Sequence, residues 1–118
     1  MKKLITISLL FFVLACLGLG ISCSNSNTNY TIKLSGTSGL SYFGHYAWQE
    51  AGSEYETKAM VSDKVPMQYT VTGERVSVYF AIDPGNSGKL KVEIIEGSRV
   101  IASSESSSAD DVISIEIP

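Results

Sequence analysis

From Tyr30 onward apolar and polar residues alternate with a period of two, and this pattern constrains the fold more than any other feature of the chain. Successive side chains of a β-strand point to opposite faces, so alternation gives each strand one apolar face and one wet face. Tyr30, Ile32 and Leu34 alternate with Thr31, Lys33 and Ser35, and Met67, Tyr69 and Val71 with Gln68, Thr70 and Thr72. Val76, Val78, Phe80 and Ile82 form a third apolar face. Leu90, Val92 and Ile94, opposed by Lys89, Lys91 and Glu93, form a fourth, and Ile113, Ile115 and Ile117 close the chain in the same way. Val100 with Ala102, and Tyr55, Thr57, Ala59 and Val61, give two weaker strands.

Turn chemistry falls between these runs. Gly36-Thr37-Ser38-Gly39, Gly73-Glu74, Asp83-Pro84-Gly85-Asn86-Ser87-Gly88 and Glu96-Gly97-Ser98 each supply residues that bend the backbone cheaply. Beyond residue 30 there is no ten-residue stretch with helical spacing. The expectation is an all-β chain: an immunoglobulin-like antiparallel β-sandwich of seven to eight strands over residues 30–118, following an N-terminal signal helix. The Cys–Trp–Cys spacing of true immunoglobulin domains is absent.

The first 22 residues are a different kind of polymer. Lys2 and Lys3 supply a positive start, an apolar run extends from Leu4 to Ile21, and there is no acid. This is the order of a secretory signal. Gly20-Ile21-Ser22-Cys23 then leads into Ser24-Asn25-Ser26-Asn27-Thr28-Asn29. A cysteine after a small residue at the end of an apolar run resembles the lipobox of bacterial lipoproteins. The resemblance implies that the thiol of Cys23 carries diacylglycerol, with cleavage just before it. Residues 1–22 are then the signal peptide, and 23–29 the lipid anchor with its Ser/Asn tether. Val13-Leu14-Ala15-Cys16 is a competing box, but Cys16 would leave an apolar stub on the mature terminus. The alternative to cleavage is an uncleaved membrane helix, for which the run is long enough. Either route tethers the domain to a membrane surface on its extracytoplasmic side. Two acyl chains suffice for stable anchoring at about 0.8 kcal/mol per buried CH₂.

Composition sharpens the picture once the leader is set aside. Residues 23–118 carry seven basic and twelve acidic residues, a net charge of −5. A nucleic-acid binder would instead carry a basic stripe. Both cysteines belong to the leader or the lipid. The domain is therefore expected to fold without a disulfide and to offer no thiolate metal site or cysteine nucleophile.

Little of the remaining sequence points to catalysis. His45 is the sole histidine, and the twelve carboxylates show no spacing that selects an acid/base pair. Asp83, Asn86 and Ser87 lack the ligand ladder of a calcium loop and read as a turn. Asp110-Asp111 reads as a loop end that keeps a sheet edge soluble, and Ser103–Ser108 as a solvated strand end and loop. No enzyme activity, metal or cofactor is expected. The feature that stands out is aromatic. Tyr42, Phe43, Tyr46, Trp48 and Tyr55 crowd into one short stretch, and on a strand Tyr42, Tyr46 and Trp48 share one face with Gly44 while Phe43 and His45 face the other way. Two readings stand. The rings fill the core as a plug, or one face presents them as a platform for a glycan, a lipid headgroup or a protein.

Tyr30 to Gly36 with Thr37, the Val65-Pro66 step, Val76-Ser77-Val78, Leu90-Lys91-Val92-Glu93-Ile94 and Gly97 through Val100 together resemble the mycobacterial membrane protein small family, MmpS. The resemblance spans most of residues 30–118. It implies an extracytoplasmic β-sandwich behind a membrane segment, acting as an accessory to an RND-type export transporter. The chain has Met67 where that family commonly has Trp, and it lacks the family's paired cysteines. The combined expectation is a lipid-anchored, non-enzymatic envelope protein. Its partners would be the membrane and a transporter or another envelope protein, not nucleic acid. The alternative is a glycan- or lipid-binding lipoprotein that uses the aromatics of residues 42–55.

Overall fold

The computed structural model describes residues 27–118. The expected signal peptide, the expected lipidation at Cys23 with its Cys16 alternative, and the first part of the expected tether lie outside the described residues. Eight strands follow in order: β1 (Thr28–Gly36), β2 (Ser41–Gln49), β3 (Thr57–Lys64), β4 (Met67–Gly73), β5 (Arg75–Ile82), β6 (Leu90–Glu96), β7 (Arg99–Ser106) and β8 (Ile113–Ile117). They form two antiparallel sheets, β4-β1-β6-β7 and β3-β2-β5-β8. The all-β sandwich expected from the alternation is what forms.

Each apolar set reaches the space between the sheets. Ile32, Leu34, Tyr42, Phe80, Ile82, Leu90, Val92, Ile94 and Ile113 are at most 1% exposed, with Tyr30, Val71, Val76 and Val78 packed around them. The two sheets thus hide each other's apolar faces, the dominant favourable contribution to folding. One position needs a missing side chain. Gly44 lies opposite Phe80 in the β2–β5 ladder. A Cβ on Gly44 would sit 2.0 Å from the Tyr79 carbonyl oxygen and 2.9 Å from the Phe80 ring. Phe80 takes that space and meets Tyr42 edge-on, with ring centroids 5.7 Å apart.

The connectivity contains a hidden correspondence. Read from its β8 edge, the second sheet runs β8-β5-β2-β3, which is the first sheet's order with each strand replaced by the one four places along the chain. It extends to single residues. Adding 46 to the residue numbers of the β1–β4 ladder turns Leu34↔Met67, Ile32↔Tyr69 and Tyr30↔Val71 into Phe80↔Ile113, Val78↔Ile115 and Val76↔Ile117, all of which are pairs of the β5–β8 ladder. The molecule is thus two interlocked halves of the same connectivity. The start of β1 and the end of β8 lie at the same end of the sandwich, where Thr28 faces Gly73 and Ile117 faces Val76.

Two sequence expectations are corrected. Ser103–Ser108 is the strand end and loop expected, with β7 running to Ser106, paired with Leu90 at the end of the β6–β7 ladder, but the strand end is not solvated throughout. Ser106 is buried, and its hydroxyl donates to the Asp111 carbonyl at 2.7 Å, with the Ser108 carbonyl at 2.9 Å. A run of serines reads as polar linker by composition. Its ladder bonds to β6 come from the backbone, which composition does not report. The strand expected from Tyr55 begins at Thr57, which leaves Tyr55 in the β2–β3 loop.

Candidate functional site

The two faces of the aromatic stretch have different fates. Tyr42, Tyr46 and Trp48 face inward from β2. Tyr42 is fully buried, and its hydroxyl hydrogen-bonds that of Tyr69 on β4 at 2.7 Å. Tyr46 stacks on Tyr69 with ring centroids 4.8 Å apart and on Trp48 at 5.8 Å, so the three rings pack partly buried against the core. Burial pushes the Tyr42 phenol well above the ordinary tyrosine range, reinforced by the Tyr69 bond and by the charge of Asp63. Burial also raises Tyr69, although its bond with Tyr42 works the other way. These phenols are a structural clasp between the sheets. Tyr55, 79% exposed in its loop, is remote from them in environment.

Phe43 and His45 face outward, and the ladders supply them with neighbours that sequence reasoning missed. His45 lies between Met60 on β3 and Tyr79 on β5, and Phe43 between Ser62 and Ala81. The His45 and Tyr79 rings are stacked, with centroids 5.3 Å apart and planes 2° from parallel. Phe43 is 40% exposed, Tyr79 41% and Met60 73%. The signal was present in the pattern. Tyr79 occupies an outward position within Val76-Ser77-Val78-Tyr79-Phe80, and Met60 an outward position between Ala59 and Val61.

The outer face of the other sheet is built differently. Lys33 lies opposite Glu93 and Lys91 opposite Glu105, with ion pairs between Lys91 and Glu93 and between Lys89 and Glu105. That face is mostly charged and solvated, with Val100, 47% exposed opposite Ile95, as its apolar exception. The β3-β2-β5-β8 sheet instead shows water a row of ring and thioether surface. One step along the strands, towards the end where β1 begins, the row gives way to polar groups. There a shallow groove of about 420 Å³ is lined by Gln49, Glu56, Arg75, Ser77 and Glu116 together with Val76, Ile117 and Pro118. The structure therefore keeps Phe43 in a candidate surface site, adds His45, Met60 and Tyr79, and places Tyr42, Tyr46 and Trp48 on the opposite face.

Among the described residues no group of three or more His, Cys, Asp or Glu side chains is arranged to hold a metal ion. Nor does any described helix have the length and apolarity to cross a membrane. Comparison with protein-family models, with curated proteins and with solved structures finds no match to this chain.

Proposed function

We propose that the chain is a lipid-anchored, extracytoplasmic lipoprotein whose sandwich works as a non-enzymatic accessory or interaction module. It engages its partner through the outer face of the β3-β2-β5-β8 sheet. The observation that carries this reading is the exposed Phe43, His45, Met60 and Tyr79 row, set against the ion-paired outer face of the other sheet. Apolar area on an otherwise solvated sheet face marks an interaction surface, and aromatic and Met side chains are enriched in such surfaces. A row presented on a sheet face suits a protein partner better than a small ligand, which needs a concave site. The anchor follows from the lipobox-like Ile21-Ser22-Cys23 and the polar tether. The most specific partner is an RND-type export transporter, which the MmpS resemblance implies.

The test is a detergent pull-down from native membranes with the full chain and with a Phe43→Ser/Tyr79→Ser double variant. The wild type should recover a membrane transporter. The variant should recover it at roughly one-tenth the yield or less, as loss of a buried aromatic anchor demands, while its melting temperature stays close to wild type. Recovery of the same unrelated proteins by both chains would overturn the proposal. Mass spectrometry should find a diacylglycerol thioether on Cys23, and an unmodified thiol there would remove the anchor.

The groove supports a second reading, a glycan ligand held by Gln49, Glu56, Arg75, Ser77 and Glu116. Its mix of carboxylate, amide, guanidinium and hydroxyl groups can bond sugar hydroxyls. Flat calorimetric titrations across a glycan panel would retire it.

A further inference from the structure

His45 is the only histidine of the chain, and it lies at the centre of the exposed row on the β3-β2-β5-β8 face. Met60 on β3 and Tyr79 on β5 flank it across the two ladders, and Phe43 and Ala47 are its outward neighbours along β2. Its ring is half-buried and stacked on the ring of Tyr79. Imidazole is the side chain whose charge changes between about pH 5 and 8. A row of otherwise uncharged groups therefore has one member, at its centre, that acid turns into a cation.

The surroundings decide whether that cation is tolerated beneath a partner. β2 carries no other charged residue from Ser41 to Gln49. β3 brings Lys58, the next outward position after Met60, and Lys64 further along, while its Asp63 lies opposite Tyr42 on the inward side. Glu56, just before β3, is two outward positions from Met60. β5 brings Arg75 and, just past its end, Asp83, each two outward positions from Tyr79. β8 sets Ser114 opposite Tyr79 and Glu116 opposite Ser77. By ladder position the nearest charged group on this face is thus a lysine, and no carboxylate stands across from His45. The ion pairs Lys89–Glu105, Lys91–Glu93 and Arg99–Glu96 all belong to the other sheet.

We infer that protonation of His45 and partner binding on this face exclude each other, so that the complex forms near neutral pH and dissociates in acid. The switch rests on the partner contact proposed above: an apolar surface laid over Phe43, Met60 and Tyr79 takes His45 out of water. Neutral imidazole goes under such a surface at small cost. Imidazolium does not, because no acid is placed to replace its lost water. The Tyr79 ring attracts the cation, but that stack already exists in the free protein and does not favour the complex. The free chain then binds one proton more than the complex does, so affinity is full above the imidazole range and falls as pH drops through it. One proton per complex sets the fall at roughly tenfold between about pH 7.5 and about pH 5.5.

The test is the detergent pull-down from native membranes, run at those two pH values with the full chain, with His45→Gln and with Phe43→Ser/Tyr79→Ser. Melting temperatures at both pH values establish that each chain is folded. Recovery of the transporter by the wild type should fall to roughly one-tenth in acid. His45→Gln, uncharged at both pH values, should recover equal amounts at both. Equal recovery by the wild type at the two pH values overturns the inference and leaves the face standing. Greater recovery in acid also overturns it, because the partner then meets His45 with a carboxylate. So does an undiminished fall in His45→Gln, which places the titrating group elsewhere. If the wild type recovers no more transporter than the double variant at the higher pH, the face is not the contact, and the switch falls with it.

Discussion

Gly44 is the residue where the core is least forgiving. Its φ of +157° and the Tyr79 carbonyl oxygen 2.0 Å from the position of an added Cβ leave no room for any other residue. Gly44→Ala should therefore cost at least about 2 kcal/mol, from backbone strain and from displacing Phe80 in an already filled core. Chemical denaturation would show this as a lower midpoint with an unchanged slope. The Tyr42–Tyr69 clasp makes a different prediction. Both phenols have folded-state pKa values raised above the ordinary value of 10.0, so their contribution to stability is complete below about pH 10 and falls as pH rises beyond it. Melting temperatures should be flat from neutral pH to about 9 and then drop. In Tyr42→Phe the drop should be shallower, from a lower starting stability, because one of the two shifted phenols is gone.

At the scale of elements, the strands were legible where alternation is strong. Ile32 and Leu34, Val76 through Ile82, and Leu90 through Ile94 declare a buried face, and the structure buries that face in each case. β7 was legible only at Val100 and Ala102. Its Ser103–Ser106 portion is held by backbone pairing with β6, to which serine composition is blind. The aromatic stretch was legible in its two-faced geometry but not in its neighbours. Parity along β2 separates Phe43 and His45 from Tyr42, Tyr46 and Trp48. That His45 meets Tyr79 and Met60 depends on which strands flank β2, a non-local fact. The 46-residue offset is hidden in the sequence for a similar reason. Tyr30-Ile32-Leu34 and Val76-Val78-Phe80 share only an apolar period, and the repeat becomes visible once their ladder partners are known.

The correspondence between the halves bears on the whole molecule. Moving four strands along the chain carries one sheet's order onto the other, so the connectivity reads the same whether it is followed from β1 or from β5. In this sense the fold is a ring cut at one of two equivalent places. The existing cut lies between β8 and β1. Its counterpart is the Gly73-Glu74 step, which passes from one sheet to the other in a single short link. A circular permutant opened at Gly73-Glu74, with Pro118 joined to Asn27 through a short glycine linker, should fold to the same eight-stranded sandwich. The heteronuclear spectrum of its core amides should match that of the parent. A molten or unfolded permutant would show that the two cuts are unequal, and that the chain depends on β1 leading the assembly.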